Sequence, residues 1–133
     1  MTAMKLDAVV LDSPDVRLLT AFYQKLLGWQ IDFIDEKTCA RLSPPEGGTR
    51  LLIQLNEWYQ RPVWPERKDS PQQQAHLDFE VKGQEELRAA VRHALSLGAQ
   101  MPETQFGHDE EKGTDRWVTL IDPVGHPFCF VIW

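Results

Sequence analysis

Residues 120–125, Leu120-Ile121-Asp122-Pro123-Val124-Gly125, lead into the apolar stretch Phe128 to Trp133. Pro and Gly mark a turn between two strands, because Pro fixes φ and Gly accepts backbone angles that other residues avoid. A single Pro-x-Gly turn carries little information. The same plan occurs earlier in the chain, however. Leu42-Ser43-Pro44-Pro45-Glu46-Gly47 precedes the strand-like run Arg50 to Leu55, with Leu, Pro and Gly at matching offsets.

Upstream of each hairpin lies a helical pattern. Leu19, Phe22, Tyr23, Leu26 and Leu27 recur at helical spacing before Gly28, a C-terminal stop. Leu87, Ala90, Val91, Ala94 and Leu95 do the same before Leu97-Gly98. Ser13 is expected to cap the first helix, with Pro14 in its first position and Asp15 at the positive end of its dipole. Each helix follows a strand, Leu6 to Leu11 in one case and His76 to Val81 in the other. A further strand is expected at Arg116 to Ile121, after an exposed acidic loop at Pro102 to Thr114.

Strand, helix, then two or three strands, written twice, predicts an α+β fold. Two tandem βαβββ modules with curved mixed sheets would enclose a cleft. The expected organisation is a single domain over 1–133, with module one at 4–57, a linker at 58–74 and module two at 75–133. The linker is rich in Pro and Gln, and Trp58, Tyr59 and Trp64 make it unusually aromatic.

Composition bounds the function. The chain has 133 residues, 42% apolar and 26% charged, ordinary for a soluble domain. Its net charge of -6 speaks against nucleic acid as a partner, which needs a basic stripe. Arg61, Arg67 and Lys68 come closest to a cluster, but Glu66 and Asp69 interrupt it, as in a solvated loop. Met1 to Leu11 lacks the apolar run of a signal peptide, and no stretch has the roughly 20 apolar residues of a membrane helix. A cytoplasmic location is therefore expected, with no membrane partner. Cys39 and Cys129 form no CxxC and read as free thiols.

The chain resembles the vicinal oxygen chelate superfamily, which includes glyoxalases, extradiol dioxygenases, and bleomycin- and fosfomycin-resistance proteins. The residues that carry the resemblance are Asp15-Val16, Ala21-Phe22-Tyr23 and Leu26-Leu27-Gly28-Trp29 in the first half. In the second they are His76-Leu77-Asp78-Phe79-Glu80-Val81, Leu97-Gly98-Ala99 and Asp122-Pro123-Val124-Gly125-His126-Pro127. It covers nearly the whole chain. It implies the glyoxalase/bleomycin resistance/dioxygenase fold, a small-molecule ligand and a homodimer. Function does not follow, because this fold serves metal enzymes and binders alike.

Metal-dependent relatives present His, Glu or Gln from the first and last strands of each module. By resemblance these positions fall on Ala8, Gln54, His76 and Cys129. Alanine cannot ligate, the Gln54 amide is a weak ligand, and Cys129 is a soft donor. A one-residue shift would put Asp7 in the first position. No cofactor or catalytic metal is expected from this set, and zinc on His76 and Cys129 lacks further strong ligands.

Strand alternation assigns faces independently. Leu77, Phe79 and Val81 should pack in the core, leaving His76, Asp78 and Glu80 on the cleft side. Leu51, Ile53 and Leu55 oppose Leu52, Gln54 and Asn56, and Phe128, Phe130 and Ile132 oppose Cys129, Val131 and Trp133. His76 and Asp78 would lie roughly 6.5–7 Å apart along the strand, too far for a direct hydrogen bond unless both lean together. His93, His108 and His126 read as surface or turn residues.

The expected ligand-binding residues are Gln54, Asn56, His76, Asp78, Trp58, Trp64, Trp117 and Cys129, with His76 the candidate catalytic base. The tryptophans suit the apolar walls of a pocket for flat compounds. The leading expectation is a binder of an aromatic or partly apolar molecule. The rival is a metal-dependent or His-based lyase, isomerase or dioxygenase.

Overall fold

The computed structural model describes residues 2–133. The chain divides into two compact units, Met1–Tyr59 and Gln60–Trp133. Most of the expected linker thus belongs to the second unit. There Val63 N–H donates to Pro71 O at 2.9 Å, and the Trp64–Pro65 peptide is cis.

The first unit runs β1 (Ala8–Ser13), α1 (Val16–Leu27), β2 (Gln30–Asp35), β3 (Cys39–Ser43) and β4 (Arg50–Leu55). Its sheet has the order β1-β4-β3-β2, with β1 parallel to β4 and the other pairs antiparallel. The helix starts two residues later than the sequence suggests. Asp15, not Ser13, is the N-cap, its carboxylate accepting from Leu18 N–H at 3.0 Å. Ser13 is fully buried and closes the preceding turn onto Asp15. Both side chains are capping types, and the extended backbone at Asp15 decides between them. Gly28 ends the helix at φ 67°, where its N–H reaches Gln24 O at 2.8 Å. Val16, Leu19, Phe22 and Tyr23 pack with Ala40, Leu42, Leu51 and Ile53 as the buried core.

The second unit runs β5 (Leu77–Glu80), α2 (Gly83–Ser96), a small hairpin of β6 (His108–Asp109) and β7 (Thr114–Asp115), then β8 (Trp117–Ile121) and β9 (Pro127–Val131). Its sheet has the order β5-β9-β8, with β5 parallel and β8 antiparallel to β9. The counterpart of β2 is reduced to one bridge, Gln100 to Ile121. The 102–114 segment is less detached than an exposed loop. Gln105 reaches the edge of β8, donating to Thr119 O at 2.8 Å and accepting from Thr119 N–H at 2.9 Å. One side-chain amide thus does the work of a neighbouring strand. On α2, Leu87 and Ala94 are buried, whereas Leu95 lies on the rim, 40% exposed.

Strand register makes the repeat explicit. In the second unit, Leu77–Phe128–Leu120 and Phe79–Phe130–Val118 form cross-strand rows on the core face. Asp78–Cys129–Thr119 and Glu80–Val131–Trp117 form the rows of the other face. In the first unit the matching core rows are Val9–Leu51–Leu42 and Leu11–Ile53–Ala40. Its opposite face carries Val10–Leu52–Arg41 and Asp12–Gln54–Cys39. Leu52 is therefore the counterpart of Cys129, and Gln54 that of Val131. Reading along the sequence puts Gln54 at the position of Cys129, two residues beyond the counterpart that the strand pairing gives.

Candidate functional site

The non-core face of the second sheet carries the chemistry. β9 is central and buried on both faces, so Cys129 is only 5% exposed. Asp78 sits beside it on β5 and Thr119 on β8. The Thr119 hydroxyl lies 3.2 Å from Cys129 Sγ. Burial pushes the Cys129 thiol up; the Thr119 contact opposes this, and the Asp78 carboxylate adds to it. Such a thiol stays protonated at neutral pH, so Cys129 is a poor nucleophile.

His76 immediately precedes β5. Its Nε2 lies 3.1 Å from Asp78 Oδ1, so the two side chains do lean together. The two can do so because both are long enough, and at 41% and 46% side-chain exposure free enough, to converge above the sheet. Cys129 Sγ joins them. One donor atom from each of His76, Asp78 and Cys129 falls within 4.8 Å of the others. Asp78 supplies the further donor that His76 and Cys129 were expected to lack.

A cavity of about 190 Å³ opens beside this group, lined by Trp64, Phe106, Trp117, His76, Cys129 and Thr119 with Glu66, Gln73 and Pro127. Trp64 and Phe106 meet edge to face with centroids 5.8 Å apart. Gln73 Nε2 donates to Glu66 at 3.4 Å, while its buried Oε1 accepts no hydrogen bond from the protein. A second cavity of about 270 Å³ shares His76, Trp117 and Cys129 and adds Asp78, Val131 and Trp133. His76, Asp78, Trp64, Trp117 and Cys129 are thus brought together.

The other expected ligand contacts lie in the first unit. Asp12 accepts from Gln54 Nε2 at 3.3 Å and from Asn56 Nδ2 at 3.0 Å. Asn56 Oδ1 in turn accepts from Trp58 N–H at 3.0 Å, and the Trp58 side chain is exposed. Asp7 pairs with Arg50. Of the remaining histidines, His93 is exposed on α2 and His126 is half-buried in the β8–β9 turn. His108 is tied to Asp115 at 2.7 Å rather than simply solvated.

Glu66, Gln73, Phe106, Thr119 and Pro127 were not foreseen in the site. Thr119 needed the β8–β9 register to be placed beside Cys129. Phe106 sits in an acidic segment with no periodicity to announce it.

Comparison with known proteins places the chain in a class. The glyoxalase-like domain family matches residues 8–131. The chain belongs to that family. Solved structures of the same fold include a glyoxalase/bleomycin resistance protein/dioxygenase family enzyme from Burkholderia phytofirmans PsJN, at 18% identity and TM-score 0.71, covering 97% of this chain and 98% of that one. A possible glyoxalase from Bacillus cereus matches at 15% identity and TM-score 0.68, covering 97% and 99%. The fosfomycin resistance protein FosX from Listeria monocytogenes matches at 16% identity and TM-score 0.70, covering 99% and 93%. A mutant form of FosX has been solved with Mn(II) and 1S,2S-dihydroxypropylphosphonic acid. At these identities the likeness is one of fold. No curated protein matches the chain.

The positions that the sequence resemblance marks for a metal do not make a full set of nitrogen and oxygen donors. Ala8 brings no donor, and Cys129 brings sulfur where a hard ion prefers oxygen.

Proposed function

We propose that this chain is a glyoxalase-like small-molecule binding protein that holds an aromatic or partly apolar compound without the family's catalytic metal. The observation that carries this reading is the cavity in which Trp64, Phe106 and Trp117 face His76, Thr119 and Cys129. Apolar walls with a few convergent polar groups are the usual make-up of a ligand site. Size sets the ligand class. A closed apolar cavity of about 150 Å³ holds one benzene ring. A volume of about 190 Å³ therefore accepts a single substituted ring. The neighbouring 270 Å³ space takes a substituent past Trp117, near His76 and Asp78. Gln54, Asn56 and Trp58 belong to the first unit and remain expectations of the sequence reading, and the assembly is taken as a homodimer in the cytoplasm.

The test is a thermal-shift screen of flat aromatic compounds in the presence of chelator, followed by calorimetry. A ligand that binds the folded form raises Tm by mass action. Trp117→Ala should weaken the best compound by about 2 kcal/mol, roughly thirtyfold. Equal affinity in that variant would refute the assignment.

A second reading is an enzyme in which His76 moves a proton. The 3.1 Å contact between His76 Nε2 and Asp78 Oδ1 favours it, since a carboxylate orients a ring and stabilises its charged form. His76→Gln should then abolish turnover of a bound compound while leaving its affinity nearly unchanged.

A further inference from the structure

Arg61 belongs to the sequence cluster that reads as a solvated loop, yet it stands over a cavity of its own. That space, of about 250 Å³, is walled by Trp64, Met101, Pro102 and Ile121 with Gln100 and the Arg61 side chain. We propose that it is a second binding site, for a small monocarboxylate with an apolar body, and that Arg61 holds the carboxylate. The site shares Trp64 alone with the aromatic cavity. It uses none of the four positions that the resemblance marks.

Three observations converge on it. The first is the lining. Its single charge is the guanidinium, set among apolar walls with one amide. Apolar walls with one or two orienting polar groups select an amphipathic ligand, and the sign of the charge makes that ligand an anion. One positive charge balances a carboxylate, whereas a phosphate dianion would bring excess negative charge to a chain whose net charge is already -6. A closed apolar cavity of about 150 Å³ holds one benzene ring, so this larger space takes a ring or short branched chain with its carboxylate.

The second observation is that the Arg61 stem is held in place. Gly125 adopts φ 107° in the β8–β9 turn, and Asp122 fixes its N–H at 2.9 Å. A Cβ at Gly125 would collide with Arg61 Cγ and come within 3.1 Å of Cδ. The stem thus lies in the notch that the missing Cβ leaves open. A side chain positioned before binding loses less rotamer freedom when the ligand arrives.

The third is that the head group is uncommitted. Among the described residues no carboxylate pairs with Arg61, while Arg17, Arg41 and Arg50 each meet one. The guanidinium donates to Pro123 O at 3.4 Å, longer than an ordinary N–H···O bond. Most of its five donors remain for the planar, two-oxygen face of a carboxylate. Gln100 adds an amide donor, its backbone tied to Ile121 in both directions at 2.8 and 2.9 Å.

The test uses the full chain at low salt, with cyclohexanecarboxylate as the probe and cyclohexanecarboxamide as its neutral counterpart. Calorimetry should give one carboxylate per chain, with the amide weaker by roughly tenfold or more, since hydrogen bonds to a charged group are the strong ones. Arg61→Gln should weaken the carboxylate by a similar factor, and Arg61→Lys by less. Arg67→Gln removes the same charge from the same segment but touches no wall of the cavity, so affinity should stay within about twofold. Circular dichroism confirms that each variant is folded. In a nitrogen–proton correlation spectrum the probe should shift the Trp64 indole signal and leave Trp117 still. Absence of binding at millimolar probe, equal affinity for the amide, unaltered affinity in Arg61→Gln, or inorganic phosphate competing as well as the carboxylate would each overturn the proposal. A probe that moves Trp117 and is lost in Trp117→Ala sits in the aromatic cavity, which also overturns it. The proposal does not rest on the small-molecule reading above, and its non-aromatic probe lets the two fail separately.

Discussion

Asp122 shows how one side chain can hold a turn. It is fully buried, and its Oδ1 accepts from the backbone N–H groups of Val124, Gly125 and His126 at 2.9–3.0 Å. Removing the carboxylate strands several donors away from water, each an expense of roughly 1–3 kcal/mol before relaxation. Asp122→Ala should therefore destabilise the chain by about 3 kcal/mol, read from urea unfolding, and Asp122→Asn by less. A change under about 0.5 kcal/mol, the range of ordinary surface substitutions, would show that the turn holds without it. Asp32 makes a prediction about pH. The Ser43 hydroxyl lowers its carboxyl most, burial pushes the other way, and the Arg41 guanidinium at 2.9 Å adds to the lowering, so the carboxyl lies below the ordinary value of 3.8. A carboxylate depressed on folding stabilises the native state above its unfolded pKa, and that contribution is lost as pH falls through the lower folded value. The stability difference between wild type and Asp32→Asn should thus shrink below about pH 3.8. Parallel curves from neutral pH to acid would contradict this.

Elements place the site, and their contacts can be disturbed at a distance from it. Gly107 packs against β8 so closely that an added Cβ would meet the Trp117 carbonyl oxygen and come within 2.6 Å of Trp117 Cδ2. Backbone cannot yield as a flexible side chain can. Gly107→Ala should therefore displace the Trp117 indole, lowering affinity for an aromatic compound with little effect on α2. Near-ultraviolet circular dichroism and calorimetry together check this, and unchanged signals in both would count against the packing described. Gln105→Ala should expose the β8 edge at Thr119 and cost about 1–2 kcal/mol in urea unfolding. Elements also show what the sequence could and could not reveal. The alternation of His76 to Val81 and of Arg50 to Leu55 was legible because one face of each strand is apolar. The start of α1 was ambiguous because Ser13 and Asp15 are both capping residues. The Gln105 contact was invisible, since an amide that pairs with a strand edge leaves no pattern in its own segment.

At the scale of the whole molecule, the repeat was the most readable feature and also the source of one error. Matched Leu, Pro and Gly offsets identified two copies but did not fix the correspondence of β4 with Cys129, and Gln54 was read where the pairing gives Leu52. Only paired strands, which fix register, could restore it. The membership in the glyoxalase-like domain family rests on 8–131 and thus on both copies, while the donor group and the aromatic cavity belong to the second alone. Among the described residues no helix is long and apolar enough to cross a membrane. The central claim is that the second copy supplies the ligand pocket, and the indole N–H signals of the five tryptophans test it most directly. In a nitrogen–proton correlation spectrum, titration with the aromatic compound that most raises Tm should shift the Trp64 and Trp117 signals together while Trp29 stays still. If a bound compound leaves both Trp64 and Trp117 unmoved, the pocket lies elsewhere and the account is wrong.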